Sequence, residues 1–137
     1  MKVFLDTNVL VSSFITRGLC ADIFRIILAE HDLILCTHVL AELENVLRRK
    51  IYLPEEQIKS ILQFLRTFEI ISNHTPPVKI KLRNNSDIPV ISAALNSHSD
   101  IIVTGDKDLL KVSEKYGIKI VNPRTFFELI KGIENSL

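Results

Sequence analysis

The sequence has little of what marks several common protein classes. Its 137 residues include only two cysteines, and the formal net charge at pH 7 is +1. No apolar run approaches the roughly 18 residues that a membrane-spanning helix needs. The first residues, "MKVFLDTN", reach an aspartate too early for a secretory signal peptide. We therefore expect a cytosolic (cytoplasmic) protein with no membrane partner.

Metal sites built on cysteine or histidine are also not indicated. Cys20 and Cys36 lack the spacing of a metal site and lie in apolar segments, which predicts buried, small side chains in a reducing compartment. The four histidines show no convincing cluster. His38 could share a helix face with Glu42, four residues later, but a surface or partner-contact role is favoured over metal binding.

Composition and charge describe one folded domain over residues 1–137. Hydrophobic residues make up 47% and charged residues 24%, and no repeat or low-complexity segment interrupts the chain. The near-zero net charge does not by itself indicate a nucleic-acid-binding protein. Basic residues alternate in "VKIKLR" as Lys79, Lys81 and Arg83, and Lys107 follows later. Each group alone is typical of a solvated surface, and together they only hint at phosphate contacts.

Short apolar runs alternate with segments of helical periodicity along the whole chain. The predicted strands are "KVFL", "LILC", "EIIS", "DIIV" and "IKIV". The predicted helices cover residues 19–30, 38–49, 54–67, 88–97, 108–115 and 123–130. This alternation is typical of an α/β fold. We predict a single three-layer domain with a central, mainly parallel five-stranded sheet covered by helices on both faces.

Acidic side chains follow two of the predicted strands. Asp6 ends the first strand, and Asp106 follows the run "IIVTG". Because ligands of open parallel sheets bind outside the carboxyl ends of the strands, these two acids are expected at one edge. Glu42 and Asp87 lie near helix starts facing the same edge. Asp87 could instead be a plain helix cap, and a lone helix glutamate is usually exposed to solvent.

Four carboxylates at one edge need a positive charge. Two carboxylates ~4 Å apart repel by roughly 1 kcal/mol in water and by more near a protein surface. Protonation would require large upward pKa shifts at neutral pH, so a divalent cation is the simpler explanation. Oxygen ligands without histidine or cysteine favour Mg²⁺ or Mn²⁺. Such a site suits the hydrolysis of phosphodiesters by metal-activated water.

The motifs also resemble those of a known family. The segments "FLDTNVLVS", "THVLAELENVLRR", "SDIPVISAAL", "IIVTGDKDLL" and "VNPRTFFEL" are similar, in order, to successive motifs of PIN-domain proteins, particularly the bacterial toxins of toxin–antitoxin pairs. The resemblance implies a Rossmann-like PIN fold and a ribonuclease that uses Mg²⁺ or Mn²⁺ on RNA. It also implies an antitoxin that covers the acidic edge, and a homodimer or higher oligomer. The apolar residues Phe64, Leu65 and Phe68 could form the dimer surface or belong to the core.

Residue by residue, the resemblance assigns catalysis and metal binding to Asp6, Glu42, Asp87 and Asp106. Asn8 and Thr104 would support these ligands from positions that match the family's polar residues. Asp108 would either support the metal or cap the following helix, and the cap is favoured. One departure is visible, because relatives often carry a further aspartate shortly before the position of Asp87. Residues 84–86 of this chain, "NNS", carry no charge.

Other protein classes begin in a similar way. A phosphatase with an aspartyl nucleophile also ends its first strand in aspartate, but it needs a second aspartate where this chain has Asn8. A phosphoacceptor domain would need paired acids near the N-terminus and a lysine after a late strand. The remaining alternative is a non-catalytic module that binds RNA or a protein partner. Such a module would hold RNA without metal, whereas a nuclease would cleave RNA only with it.

Overall fold

The computed structural model describes residues 1–112 and 115–132. Its strands are β1 (Lys2–Leu5), β2 (Asp32–Cys36), β3 (Glu69–Ile71), β4 (Ile101–Val103) and β5 (Lys119–Val121). They form one sheet in the order β3-β2-β1-β4-β5, and every pair of neighbours is parallel. The prediction of an α/β fold with a five-stranded parallel sheet is confirmed.

The helices connect successive strands, and the last helix follows β5. They are α1 (Thr7–Ile15), α2 (Leu19–Glu30), α3 (Thr37–Arg49), α4 (Glu55–Leu65), a 3-10 turn (Asn85–Asp87), α5 (Ile88–Asn96), α6 (Lys107–Lys111) and α7 (Pro123–Lys131). The six predicted helices are present, with ends that differ by a few residues. Helix α6 ends before residue 115, and residues 113 and 114 of its predicted range lie outside the described residues.

Helix α1 was not predicted from the sequence. Its residues, "TNVLVSSFI", are mostly β-branched, aromatic or serine, and such residues have modest helix propensity. Two features outside propensity stabilise it. The Oδ1 atom of Asp6 accepts a hydrogen bond from the backbone N–H of Thr7 at 2.8 Å. Val9 and Leu10 are buried where α1 packs against α2 and α3, so tertiary contacts favour the helix.

The core surrounds the central strand β1. Val3, Phe4 and Leu5 have no exposed surface, as expected for a parallel sheet with helices on both faces. Leu65 also lies fully in the core, whereas Phe64 is 43% exposed, so the apolar group suggested as a dimer surface is divided between interior and exterior. No helix among the described residues is long and apolar enough to cross a membrane.

Both cysteines are free thiols. Cys36 is fully buried at the end of β2, and its Sγ accepts a hydrogen bond from the backbone N–H of Val39 at 3.5 Å. Burial raises the pKa of the Cys36 thiol to about 11, so it stays protonated and unreactive at neutral pH. Cys36 therefore has a packing role, as predicted, and Cys20 is partly buried.

The strand order defines where a ligand can enter. From β1 the chain adds β2 and β3 on one side of the sheet, then crosses to add β4 and β5 on the other side. The connections from β1 and β4 therefore leave in opposite directions, which opens a crevice outside the carboxyl ends of these two strands. Asp6 and Asp106 follow those two strand ends.

Candidate active site

The acids after β1 and β4 are joined by a buried hydroxyl group. Thr104 has no exposed surface, and its Oγ1 donates a hydrogen bond to Oδ2 of Asp6 at 2.7 Å. The same Oγ1 accepts from the backbone N–H of Asp106 at 3.0 Å. At the ends of β1 and β4, the backbone N–H of Asp6 donates a hydrogen bond to the carbonyl of Val103 at 3.1 Å. These contacts fix the relative positions of the two acids across the crevice.

Asp6 is an acid held inside the protein, with only 8% of its surface exposed. Burial raises the pKa of its carboxyl group above the ordinary value, while hydrogen bonds from Thr104 and Thr7 lower it. The neighbouring carboxylates of Glu42 and Asp106 raise the pKa further. Asp6 therefore lies close enough to two other acids to interact with their charges.

Asp106 has a structural role in addition to its place in the crevice. It is the N-cap of α6, and its Oδ1 accepts a hydrogen bond from the backbone N–H of Asp108 at 2.8 Å. The favoured assignment of the cap to Asp108 was wrong, because the helix begins at Lys107 and Asp108 lies in its first turn. Asp108 still acts on the site, since its charge raises the pKa of Asp87.

Asp87 ends the 3-10 turn, which is closed by a hydrogen bond from its backbone N–H to the carbonyl of Asn84 at 3.1 Å. Its side chain makes no capping hydrogen bond to α5, so the plain cap does not describe it. The pKa of Asp87 is raised to about 6, mainly by burial and also by the charges of Asp106, Asp6 and Asp108 and by hydrogen bonding with Asp106. Asp87 thus joins the same group of acids.

Glu42 approaches the site from α3. Its Oε1 accepts a hydrogen bond from Oγ1 of Thr7 at 3.1 Å, and Nε2 of His38 lies 3.2 Å from the same oxygen, in poor hydrogen-bond geometry. His38 thus shares the face of Glu42. Nearly half of the Glu42 side chain is exposed, so it is the most accessible of these acids to solvent.

Sequence reasoning missed Thr7. Through its N–H it binds Asp6, and through its hydroxyl it binds Glu42, so one residue orients two acids. The resemblance pointed instead to Asn8, which is exposed in the first turn of α1. The signal for Thr7 was present, because a hydroxyl residue follows the strand-end aspartate directly. This signal could be interpreted only with α1 in place, because that helix brings the hydroxyl of Thr7 to Glu42, and the sequence did not predict α1.

We call Asp6, Glu42, Asp87 and Asp106 the carboxylate cluster. Within the described ranges no lysine or arginine forms an ion pair with it. In those same ranges, no three acidic, histidine or cysteine side chains are gathered closely enough to hold a metal ion as they stand. The donor set, all hard carboxylate oxygens, fits a divalent cation that keeps several of its waters.

The chain is similar to known proteins in both sequence and fold. The sequence profile of a family described as PIN domain matches residues 2–108. The fold is similar to that in the crystal structure of VapBC2 from Rickettsia felis bound to a DNA fragment from their promoter, with a TM-score of 0.62 and 20% sequence identity. The superposition covers 89% of this chain and 98% of that chain. No curated protein shows significant similarity to the sequence.

Proposed function

The chain belongs to the PIN domain family, and we propose that it is a metal-dependent endoribonuclease, the toxin of a toxin–antitoxin pair. PIN domains are generally nucleases and usually use divalent metal ions. One observation in this chain supports the proposal most. Asp87 has a pKa raised to about 6 by burial and by the charges of its acidic neighbours, and no described cation offsets those charges.

The carboxylate cluster would hold Mg²⁺ or Mn²⁺. When bound, such an ion supplies an acidified water and neutralises charge on the phosphoryl oxygens. The chain's own residues orient the ligands. Thr104 and Thr7 hold the two oxygens of Asp6, and Thr7 also holds Glu42. Because Asp87 is partly protonated near pH 6, cation binding is expected to displace its proton.

The choice of RNA as substrate rests on the family resemblance, and the site is compatible with a polyanion. Lys107, directly after Asp106, and Arg83, four residues before Asp87, are both exposed at the ends of segments that carry the acids. Cations in these positions would attract a phosphate backbone towards a site that otherwise repels it.

Cleavage of a labelled single-stranded RNA tests the nuclease assignment. Wild-type protein is compared in Mg²⁺, in Mn²⁺ and in excess EDTA, with Asp6→Asn as the variant lacking the buried acid. We expect cleavage in either metal, none in EDTA, and none by a folded Asp6→Asn protein. Cleavage that persists in EDTA would contradict metal dependence. RNA binding without cleavage in any metal would favour the alternative, a non-catalytic RNA- or partner-binding PIN module.

The antitoxin proposal draws on the fold shared with VapBC2 and on the uncompensated charge of the carboxylate cluster. A partner that inserts an arginine or lysine among these acids would supply the missing positive charge. We expect the native host to yield a small protein that co-purifies with this chain and suppresses cleavage. A purification that recovers no such partner, together with the lack of an inhibitory neighbouring gene product, would contradict a toxin–antitoxin pair.

A further inference from the structure

A basic segment leads directly into the site. Residues 79–83, which we call the basic strap, lie between the loop after β3 and the 3-10 turn that ends at Asp87. Lys79, Lys81 and Arg83 are exposed, Ile80 lies in the core and Leu82 is partly buried. This alternation is that of an extended segment with one face on the protein. Its three outward residues, the strap cations, all carry positive charge.

The backbone of the basic strap is anchored. The hydroxyl of Tyr116, just before β5, accepts a hydrogen bond from the N–H of Lys81 at 3.0 Å and lies 3.1 Å from its carbonyl, to which it can donate. Ile80 packs into the core beside this contact. Because the main chain is fixed in this way, the charged side chains are presented in a constant order along one line, and little backbone entropy remains to be lost on binding.

The strap cations are not used to hold the fold together. In residues 1–112 and 115–132, none of them forms an ion pair with an acidic side chain. Some cations elsewhere are paired, since Arg48 binds Glu44 and Glu55 and Arg25 binds Asp22. Others, such as Arg49, Lys59 and Arg66, form no ion pair with a described acid, so what distinguishes the strap cations is their alternation next to the turn that ends at Asp87. The strap therefore offers uncompensated positive charge beside a carboxylate cluster with uncompensated negative charge.

We propose that the basic strap binds consecutive phosphates of a single-stranded RNA and delivers the strand to the carboxylate cluster. Outward residues of an extended segment are ~6.6 Å apart, which suits contacts along one sugar–phosphate backbone. Arg83 adjoins the turn closed between Asn84 and Asp87, so its phosphate would be nearest to the acids. This inference rests on the proposed nuclease function, and it assigns the strap to substrate and not to an acidic protein partner.

Salt-dependent binding tests this assignment. Anisotropy of a fluorescein-labelled oligouridylate is measured in EDTA, without cleavage, for wild type and for the triple variant K79Q/K81Q/R83Q. A control of equal charge change, R49Q/K59Q/R66Q, alters exposed cations on α3, on α4 and just after α4. Each lost phosphate contact should reduce the slope of log Kd against log salt by ~0.7. We expect the strap variant to lose about 2 from the slope, and the control to keep the wild-type slope.

An unchanged slope in the strap variant, or an equal loss in the control, would overturn the proposal. The proposal would also be overturned if the strap variant bound RNA like wild type but no longer bound a protein partner. Thermal denaturation of all three proteins checks that they are folded. If only the strap variant loses slope, but wild type and control do not cleave the RNA in Mn²⁺, the nuclease function fails and the strap assignment stands. The two claims can therefore be separated.

Discussion

Two groups of acids in this protein differ in what surrounds them. On α3 and α4, Nη1 of Arg48 lies 3.0 Å from Glu44, and its Nε and Nη2 bind both oxygens of Glu55 at 2.5 and 3.0 Å. Hydrogen bonding to Arg48 lowers the pKa of Glu55. In the carboxylate cluster the shifts are reversed, since burial and neighbouring acids raise the pKa of Asp87 to about 6.

The difference distinguishes acids that are paired within the fold from the acids that we propose bind a metal ion. Glu44 and Glu55 receive their counter-charge from within the chain, at an exposed surface where such pairs contribute little to stability. The carboxylate cluster lies at the crevice between β1 and β4, and no lysine or arginine among the described residues forms an ion pair with it. A repulsive arrangement of this kind reduces stability, so its presence at a ligand crevice indicates function.

The largest contrast should come from neutralising one acid in each group. Asp106→Asn keeps a capping side chain for α6 and removes a charge from the cluster, so we expect a loss of RNA cleavage of roughly 1,000-fold. Glu44→Gln, the matched control, should cleave RNA like wild type. Initial rates in saturating Mn²⁺ measure both. Equal activities would show that the two groups of acids do not differ in function.

Thr104→Val should have the next largest effect. The change keeps the shape of the buried side chain but removes the hydroxyl that binds Asp6 and accepts from the N–H of Asp106. We expect cleavage to fall by about 10- to 100-fold and the free energy of unfolding to fall by about 1–3 kcal/mol. Thr104→Ser keeps the hydroxyl and should recover most of the activity. A serine variant as impaired as the valine variant would point to packing instead.

A smaller effect concerns stability without metal. Because the folded-state pKa of Asp87 is about 6, above the usual value for the unfolded chain, this residue stabilises the fold fully only below about pH 4. That contribution is lost as the pH rises through 6. Asp87→Asn should therefore be more stable than wild type at pH 8 by about 1 kcal/mol, after allowance for solvent screening.

Urea denaturation in EDTA at pH 4 and pH 8 measures this difference. Relative to wild type, the Asp87→Asn protein should gain stability between the two pH values, and Mn²⁺ should remove that advantage by stabilising only wild type. A difference that does not change with pH would show that Asp87 is not under charge repulsion in the folded protein.

The smallest effect is expected for the acids on α3 and α4 that are paired with Arg48. Glu55→Gln breaks the pairing with Arg48 at the surface, where solvent and salt screen the charges. We expect a thermal midpoint that is hardly changed at physiological salt and unchanged cleavage of RNA. A marked loss of activity would show that the α3–α4 group also serves the site.

The features that the sequence predicted well depend on long-range pattern. Parallel topology follows from strand and helix alternation, and it places Asp6 and Asp106 at one edge although they are 100 residues apart. The features it missed depend on single-residue geometry. Whether Asp106 or Asp108 caps α6 depends on where the helix begins, and the two positions are only two residues apart.

Helix α1 and the role of Thr7 were also missed, because they too depend on local geometry that the sequence pattern does not reveal. The helix is stabilised by a cap from Asp6 and by burial of Val9 and Leu10, neither of which propensity can report. Without that helix, the contact from Thr7 to Glu42 could not be foreseen. The strap cations were visible in the sequence as an alternating pattern. Their significance came from the anchored backbone and from the lack of described ion partners.

The central claim is that the carboxylate cluster takes its counter-charge from a divalent cation. Titration calorimetry with Mn²⁺ tests it most directly, on wild type, Asp6→Asn and the control Glu44→Gln, each confirmed to be folded. We predict that wild type and Glu44→Gln bind Mn²⁺ alike, with proton release near pH 6, and that Asp6→Asn binds at least tenfold more weakly. Wild-type protein that binds no Mn²⁺, or an Asp6→Asn protein that binds it equally well, would contradict the account.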